Sequence, residues 1–154
     1  MAGQRLPTTE GLIRLERLAR VLVGLVVLNL AVTIVHAAAH AELQILPTGV
    51  DLAFIVAVIV VGPVGAVGLL RFHRAFGAVL AAVFMGASFA YGVYNHFLVA
   101  GPDHVSIVSS EPWTTVFVIS GVALGVLEIV TGVVAVFVFR SLARTPSGPA
   151  EPPA

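Results

Sequence analysis

The sequence predicts an all-α protein, a four-helix transmembrane bundle with a short amphipathic helical segment at its N-terminus. Of its 154 residues, 58% are hydrophobic and only 10% are charged, whereas a soluble domain of this length needs more charge to cover its surface. Four apolar runs are each long enough to cross a bilayer. These predicted spans lie near residues 21–41, 50–70, 75–98 and 113–139.

The positions of the charged residues predict the orientation. All 8 basic residues are arginines, and they lie before the first span, between the second and third, or after the fourth. The other two loops contain acids but no Arg or Lys. The positive-inside rule therefore predicts a plasma-membrane protein with both termini cytoplasmic and the acidic loops extracytoplasmic. The arginines form membrane anchors rather than a basic surface interleaved with aromatic residues, so no nucleic-acid partner is expected.

The N-terminal region is predicted to change from disorder to helix. Residues 1–9 are expected to be disordered, and a helix is expected to begin near Glu10, because Thr8 or Thr9 can cap it. Over residues 12–20 the leucines share one side of the helix and the arginines another. This amphipathic segment is expected to lie at the cytoplasmic headgroups and to lead into the first span.

A single membrane domain is predicted over residues 10–140. Residues 141–154, rich in proline and small side chains, are expected to form a disordered cytoplasmic tail. An alternative for the first span is a signal peptide, because arginines, an apolar core and the small-residue stretch around His40 resemble a cleavage site. Cleavage there would remove His36 and His40.

Small residues predict where the helices approach one another closely. The second span contains Gly62-Pro63, which is expected to kink it, and the third has alanine or glycine at four-residue intervals. The fourth span has Gly121 and Gly125 on the same face as Glu128. This face is expected to pack on another helix, and the Gly121/Gly125 surface is a candidate for binding a membrane-protein partner or a second copy.

Polar side chains form two lines through the apolar spans. Asn29, Thr33, His36 and His40 are separated by 4, 3 and 4 residues and so share one face of the first helix. Polar residues in a hydrocarbon environment are costly and normally face an interior or a ligand. A polar pocket between helices one, three and four is therefore predicted. The second line lies on the third helix and consists of Ser88, Tyr91 and Asn95, followed by His96.

Glu128 is the acid predicted to lie deepest in the membrane. At mid-membrane it is expected to be protonated and to meet Asn29. It is either a buried proton-accepting group or a hydrogen-bonding contact that holds helices together.

The histidines predict a metal site at the extracytoplasmic end. Two imidazoles one helical turn apart form a possible ligand pair, with His36 and His40 as primary ligands. His96 and His104 would complete the shell, and Asp103 would be a ligand or would orient one. With no Cys and only 2 Met, zinc, iron, manganese or Cu(II) suits the site better than Cu(I). A haem held between helices is the variant of this hypothesis.

The sequence is compatible with several classes of function. Metal binding would support redox chemistry or metal handling, but no complete catalytic set identifies an enzyme. The histidines are alternatively structural, bonded to loop carbonyls and headgroups. The chain is otherwise an accessory subunit of a larger membrane complex, favoured by its small-residue faces. A third alternative is a quinone or small-ligand pocket that uses His36, Tyr91 and Asn95.

Overall fold

A computed structural model describes residues 9–108 and 112–143, and over these residues the protein is helical without β-strands. Four helices are each long and apolar enough to cross a membrane, which confirms the all-α class and the four apolar helices. They are α1 (Thr9–Glu42), α2 (Gly49–Leu70), α3 (Arg74–Leu98) and α4 (Pro112–Ala143).

The first and last helices extend beyond the predicted spans. α1 is one continuous helix of 34 residues, about 51 Å long, so the amphipathic segment is its first part rather than a separate element. α4 continues to Ala143. The rest of the predicted disordered termini, residues 1–8 and 144–154, lies outside the described residues.

A π-helical turn in α2 accommodates its proline. Ile55–Val61 is π-helical and comes directly before Gly62-Pro63. Proline has no N–H to donate, and its ring clashes with the carbonyl four residues earlier, so the wider turn relieves both conflicts. Gly62 allows α2 to lie against α3, because a Cβ there would be 2.6 Å from the ring of Phe84.

A second π-helical turn ends α3 and carries a histidine. Tyr94–Leu98 is π-helical, and the N–H of Val99 donates to the carbonyl of Tyr94 at 2.9 Å. A π turn inserts a residue into the helix and changes the direction of the side chains that follow. This change of direction affects His96, which lies inside the turn.

The helices have two chemically different ends. The arginine end is where Arg14, Arg17, Arg20, Arg71, Arg74 and Arg140 lie, and the histidine end is where His36, His40 and His96 lie. α4 packs against α1 and α3, while α2 packs mainly against α3. At the arginine end Arg74 Nη1 lies 2.6 Å from Glu16 Oε1, which joins α1 to α3. The aliphatic core occupies this end and consists of Leu15, Leu22, Val26, Ala66, Leu70, Ala78, Ala81, Ala135 and Val138.

α1 and α4 run antiparallel in a register that relates the two ends. A Cβ at Gly121 would lie 3.3 Å from Cε1 of His36, so these residues face each other. Counting seven residues along both helices from that contact places Asn29 level with Glu128. The next seven place Leu22 level with Ala135, two members of the aliphatic core.

Candidate metal site

Three histidines from two helices converge at one point. His36 and His40 lie one turn apart on α1, and His96 comes from the π turn of α3. The Nε2 of His36 lies 3.2 Å from that of His40 and 3.3 Å from that of His96. One donor atom from each of the three residues lies within 4.8 Å of the other two, a grouping able to hold a metal ion.

Main-chain carbonyls of the two connecting segments determine the tautomer of two of these histidines. His40 Nδ1 donates to the carbonyl of Ile45 at 3.0 Å, and His96 Nδ1 donates to the carbonyl of Asp103 at 3.0 Å. A carbonyl oxygen only accepts, so in the neutral form of both rings the proton is on Nδ1 and the lone pair is on Nε2.

Ser120 of α4 determines the tautomer of the third histidine, His36. Its hydroxyl donates to the carbonyl of Val116 at 2.6 Å, so its only proton is already used. The contact of 2.9 Å between His36 Nδ1 and Ser120 Oγ therefore has the imidazole as donor and the hydroxyl oxygen as acceptor. All three Nε2 atoms consequently present lone pairs to one another.

This arrangement of lone pairs has the geometry of a metal site. Facing lone pairs without a hydrogen between them repel, and a shared cation removes that repulsion. Two nitrogens bound to one tetrahedral zinc at about 2.0–2.1 Å are about 3.3–3.4 Å apart, close to the 3.2 and 3.3 Å separations here. Metal-bound histidines also usually donate their other N–H to a carbonyl or another acceptor, as these three do.

α4 provides an apolar wall beside the three imidazoles. The ring of Phe117 is stacked on His36 with centroids 5.0 Å apart. The same ring lies edge-on to His40 at 4.9 Å and to His96 at 5.1 Å. Phe117 is buried, so it closes one side of the group, while Gly121 leaves room for the His36 ring.

The open side of the group faces a cavity of about 310 Å³. All three histidines line the cavity, which extends along α4 as far as Glu128. Glu128 is level with Asn29 of α1. The predicted pocket lay between helices one, three and four, and the structure adds α2 as a further wall. The α2 residues that line it are Leu52, Ile55 and Ile59.

Several predicted polar residues line this cavity, but their protons are used within their own helices. Thr33 donates to the carbonyl of Asn29 at 2.9 Å, and Ser88 donates to the carbonyl of Phe84 at 2.8 Å. Their hydroxyl oxygens are thereby left as acceptors.

Asn29 is only 1% exposed, and its Nδ2 has no hydrogen-bond partner in the part of the chain that is described.

The remaining polar residues of α3 make contacts at its histidine end. The Tyr91 hydroxyl donates to Asp51 Oδ1 at 3.1 Å, and its ring is stacked on Phe54, which joins α3 to the beginning of α2. Asn95 Nδ2 donates to the carbonyl of Tyr91 at 3.1 Å. Tyr91 lines the cavity, whereas the side chain of Asn95 is bonded to its own helix.

The sequence predicts that His104 completes the metal shell and that Asp103 is a ligand or orients one, and the structure gives the two residues different contacts. His104 Nδ1 accepts from the N–H of Ser106, and its Nε2 lies 3.3 Å from the carbonyl of Phe97. This is the opposite tautomer from that of the three converging histidines, and neither ring nitrogen is left free. Asp103 orients His96 through its main-chain carbonyl, and the residue also lines the cavity.

The glycine face of α4 is turned toward other helices of the same chain. Gly121 faces His36, and a Cβ at Gly125 would lie 3.7 Å from the ring of Phe89. The predicted close helix packing therefore occurs within the chain. That the same face binds a partner or a second copy stays a prediction.

Sequence reasoning did not identify Phe117 or Ser120. Phe117 lies one turn before Gly121 on the glycine face of α4, so extending that face by one turn would have indicated it. Ser120 contacts His36 across 84 residues of sequence, and only the register between α1 and α4 reveals it. The Ile45 carbonyl, which accepts from His40, belongs to the main chain, so no residue type in the sequence indicates its role.

The fold and this geometry define a class: an all-helical protein with four membrane-capable helices and a three-histidine group able to hold a metal ion. No protein-family model, curated protein or solved structure matches the chain.

Proposed function

We propose that this protein is an integral membrane metalloprotein that binds one divalent metal ion through His36, His40 and His96. A single observation carries this proposal: three Nε2 lone pairs converge while each Nδ1 proton is held by its own acceptor. This pattern supplies both the ligands of a metal and the hydrogen bonds that orient them. The arginine distribution supports a site on the extracytoplasmic side of the plasma membrane.

Zinc is the ion that suits this ligand set best. Imidazole suits zinc, copper, iron and nickel, whereas manganese prefers oxygen ligands. The donor separations match tetrahedral zinc, and three protein ligands leave a fourth position for water or a substrate. The geometry does not favour a haem, because axial ligands approach the iron from opposite faces and these three nitrogens converge from one side.

The open position is the basis of any activity at this site. A metal there is able to polarise a bound oxygen or to lower the pKa of a bound water. A redox-active ion in the same position would support electron transfer at the outer leaflet. In this proposal His104 is a loop residue and not a metal ligand, and the main-chain carbonyl of Asp103 orients His96.

The experiment that tests this proposal is elemental analysis by mass spectrometry. The protein is purified in mild detergent without an affinity histidine tag and without added metal. The expected result is about one zinc, copper or iron per chain in the wild type, and none in His36→Ala/His40→Ala with unchanged helical circular dichroism. His73→Ala, at the arginine end, is the matched control and should retain the metal. Equal retention in the folded double variant would overturn the proposal.

A further inference from the structure

We propose that the cavity beside the three histidines binds an uncharged, lipid-soluble alcohol or phenol, whose hydroxyl oxygen takes the fourth position on the metal. This inference rests on the proposed metal site and names the class of molecule that the site receives. It is carried by the size of the cavity, its apolar walls and the hydrogen-bonding state of its polar atoms.

The cavity is larger than a water ligand requires. A water molecule occupies about 30 Å³ in the liquid, whereas the cavity measures about 310 Å³. This volume lies at the lower end of the range of small-molecule pockets, roughly 300–1,000 Å³. A molecule the size of a substituted phenol fills such a space.

The walls select an apolar, uncharged molecule. Side chains from α2, α3 and α4 form most of the lining, and most of them are apolar, so a charged ligand would lose its hydration among them. Polar side chains occur along the polar face of α1, on the facing side of α3, and at Asp103 and Glu128. The apolar lining includes Leu46, Leu52, Ile55, Ile59, Phe89 and Leu124.

The polar atoms select a molecule that donates a hydrogen bond. Thr33 and Ser88 already donate their protons to main-chain carbonyls, so toward the cavity their oxygens are acceptors only. Thr33 lies one turn from His36 on the same polar face. A ligand hydroxyl whose oxygen binds the metal has a proton to give to such an acceptor, whereas a ketone or ether has none.

The helix packing provides a route from the lipid. α1 contacts the Gly62–Leu70 part of α2 but has few contacts with Gly49–Val61, the part beside the cavity. Residues of α1 and of this part of α2 both line the cavity, and both belong to the apolar spans. A molecule dissolved in the bilayer is therefore the one best placed to enter.

The inference is tested with cobalt as the metal and para-hexylphenol as the probe. Co(II) takes tetrahedral nitrogen sites similar to those of zinc, and its visible absorption bands shift when a fourth ligand is exchanged. The probe is titrated into cobalt-loaded, detergent-solubilised protein, and cobalt content is measured separately on each sample. The expected result is a saturable spectral shift in the wild type.

Variants then locate the probe. Gly125→Leu places a side chain in the cavity between the histidines and Glu128, and it should weaken probe binding at least tenfold with the cobalt content unchanged. Ile55→Phe fills the cavity from α2 and should have the same effect if Gly125→Leu fails to fold. Gly65→Leu is the matched control, because Gly65 is exposed on α2 with nothing within 4 Å of its Cβ position.

The outcomes separate this inference from the metal proposal. If the wild type takes up no cobalt, the proposed function fails and the inference fails with it. If cobalt binds but para-hexylphenol causes no shift, only the inference is overturned. An equal probe affinity in folded Gly125→Leu, Ile55→Phe and Gly65→Leu would also overturn it, since the probe would then bind outside the cavity.

Discussion

The two ends of the α1–α4 pair bury different kinds of residue. At the arginine end Leu22 lies level with Ala135 in an aliphatic core. Two heptads away, at the histidine end, His36 lies against Gly121 and Ser120 beside a cavity. Between them are Glu128 and Asn29, whose Nδ2 has no hydrogen-bond partner among residues 9–108 and 112–143.

The two ends therefore differ in what they contribute: the arginine end holds the packed core, and the histidine end holds the proposed metal site. In a bilayer the helices gain from close packing and not from hiding apolar surface, because lipid tails are as apolar as leucine. The packed core at the arginine end supplies that close contact. Polar groups and an empty volume at the histidine end cost stability unless a ligand uses them. Changes at one end should therefore affect metal binding, and changes at the other should affect unfolding.

The largest expected effect on metal affinity comes from His96. Removing one of the three proposed ligands should lower metal affinity at least about 100-fold, since structural metal sites gain roughly 10–16 kcal/mol from all their ligands together. The measurement is competition for zinc against a chelator of known affinity in His96→Ala. His104→Ala is the control, because its ring nitrogens are bonded to Ser106 and Phe97. A loss in His104→Ala as large as in His96→Ala would show that the three-histidine assignment is wrong.

A smaller effect is expected when the orienting hydroxyl of Ser120 is removed. Ser120→Ala leaves His36 Nδ1 without its acceptor, and losses of about 10–100-fold are typical for such partners of metal ligands. Thr131→Val is the control, since Thr131 is also buried on α4 and also donates to the carbonyl four residues earlier. The same chelator competition measures both. Equal affinities in the two variants would mean that Ser120 does not orient His36.

The sequence predicted the parts of this structure that depend on composition and on local spacing. Four apolar runs were sufficient for four helices, and the spacing of His36 and His40 was sufficient to put both imidazoles on one face. His96 was also predicted, because it follows a polar line on α3. These inferences need only the helical period and the cost of burying polar groups.

The remaining features depend on contacts that local spacing does not encode. Ser120 meets His36 through the register of two helices that are far apart in sequence. His96 and His104 are the same residue type at the same end, and only their hydrogen bonds distinguish the proposed ligand from the loop residue. The sequence does not indicate α2 as a cavity wall, because all its side chains after Asp51 are apolar.

Gly121 should have a modest effect on metal affinity. The Cβ of Gly121→Ala would lie 3.3 Å from Cε1 of His36, so the ring must shift by a few tenths of an ångström. Crowding of this kind costs about 1 kcal/mol, equivalent to roughly fivefold in affinity. Gly132→Ala is the control, because its Cβ would be 3.8 Å from Met85 in ordinary contact. If Gly121→Ala binds zinc as tightly as Gly132→Ala does, the close approach of α4 does not position His36.

The smallest effect on metal affinity is expected from Leu22, although it should change stability most clearly. Leu22 is fully buried in the arginine-end core, whereas Leu28 on the same helix is 49% exposed. Leu22→Ala removes packing that lipid cannot replace and should lower the free energy of unfolding by about 2 kcal/mol, measured by detergent denaturation of the metal-free protein. Leu28→Ala should change it little. Both folded variants should bind zinc as the wild type does, because the histidines are two heptads away from Leu22. A tenfold loss of affinity in folded Leu22→Ala would show instead that the aliphatic core transmits its packing to the histidines, and the separation of the two ends would no longer hold.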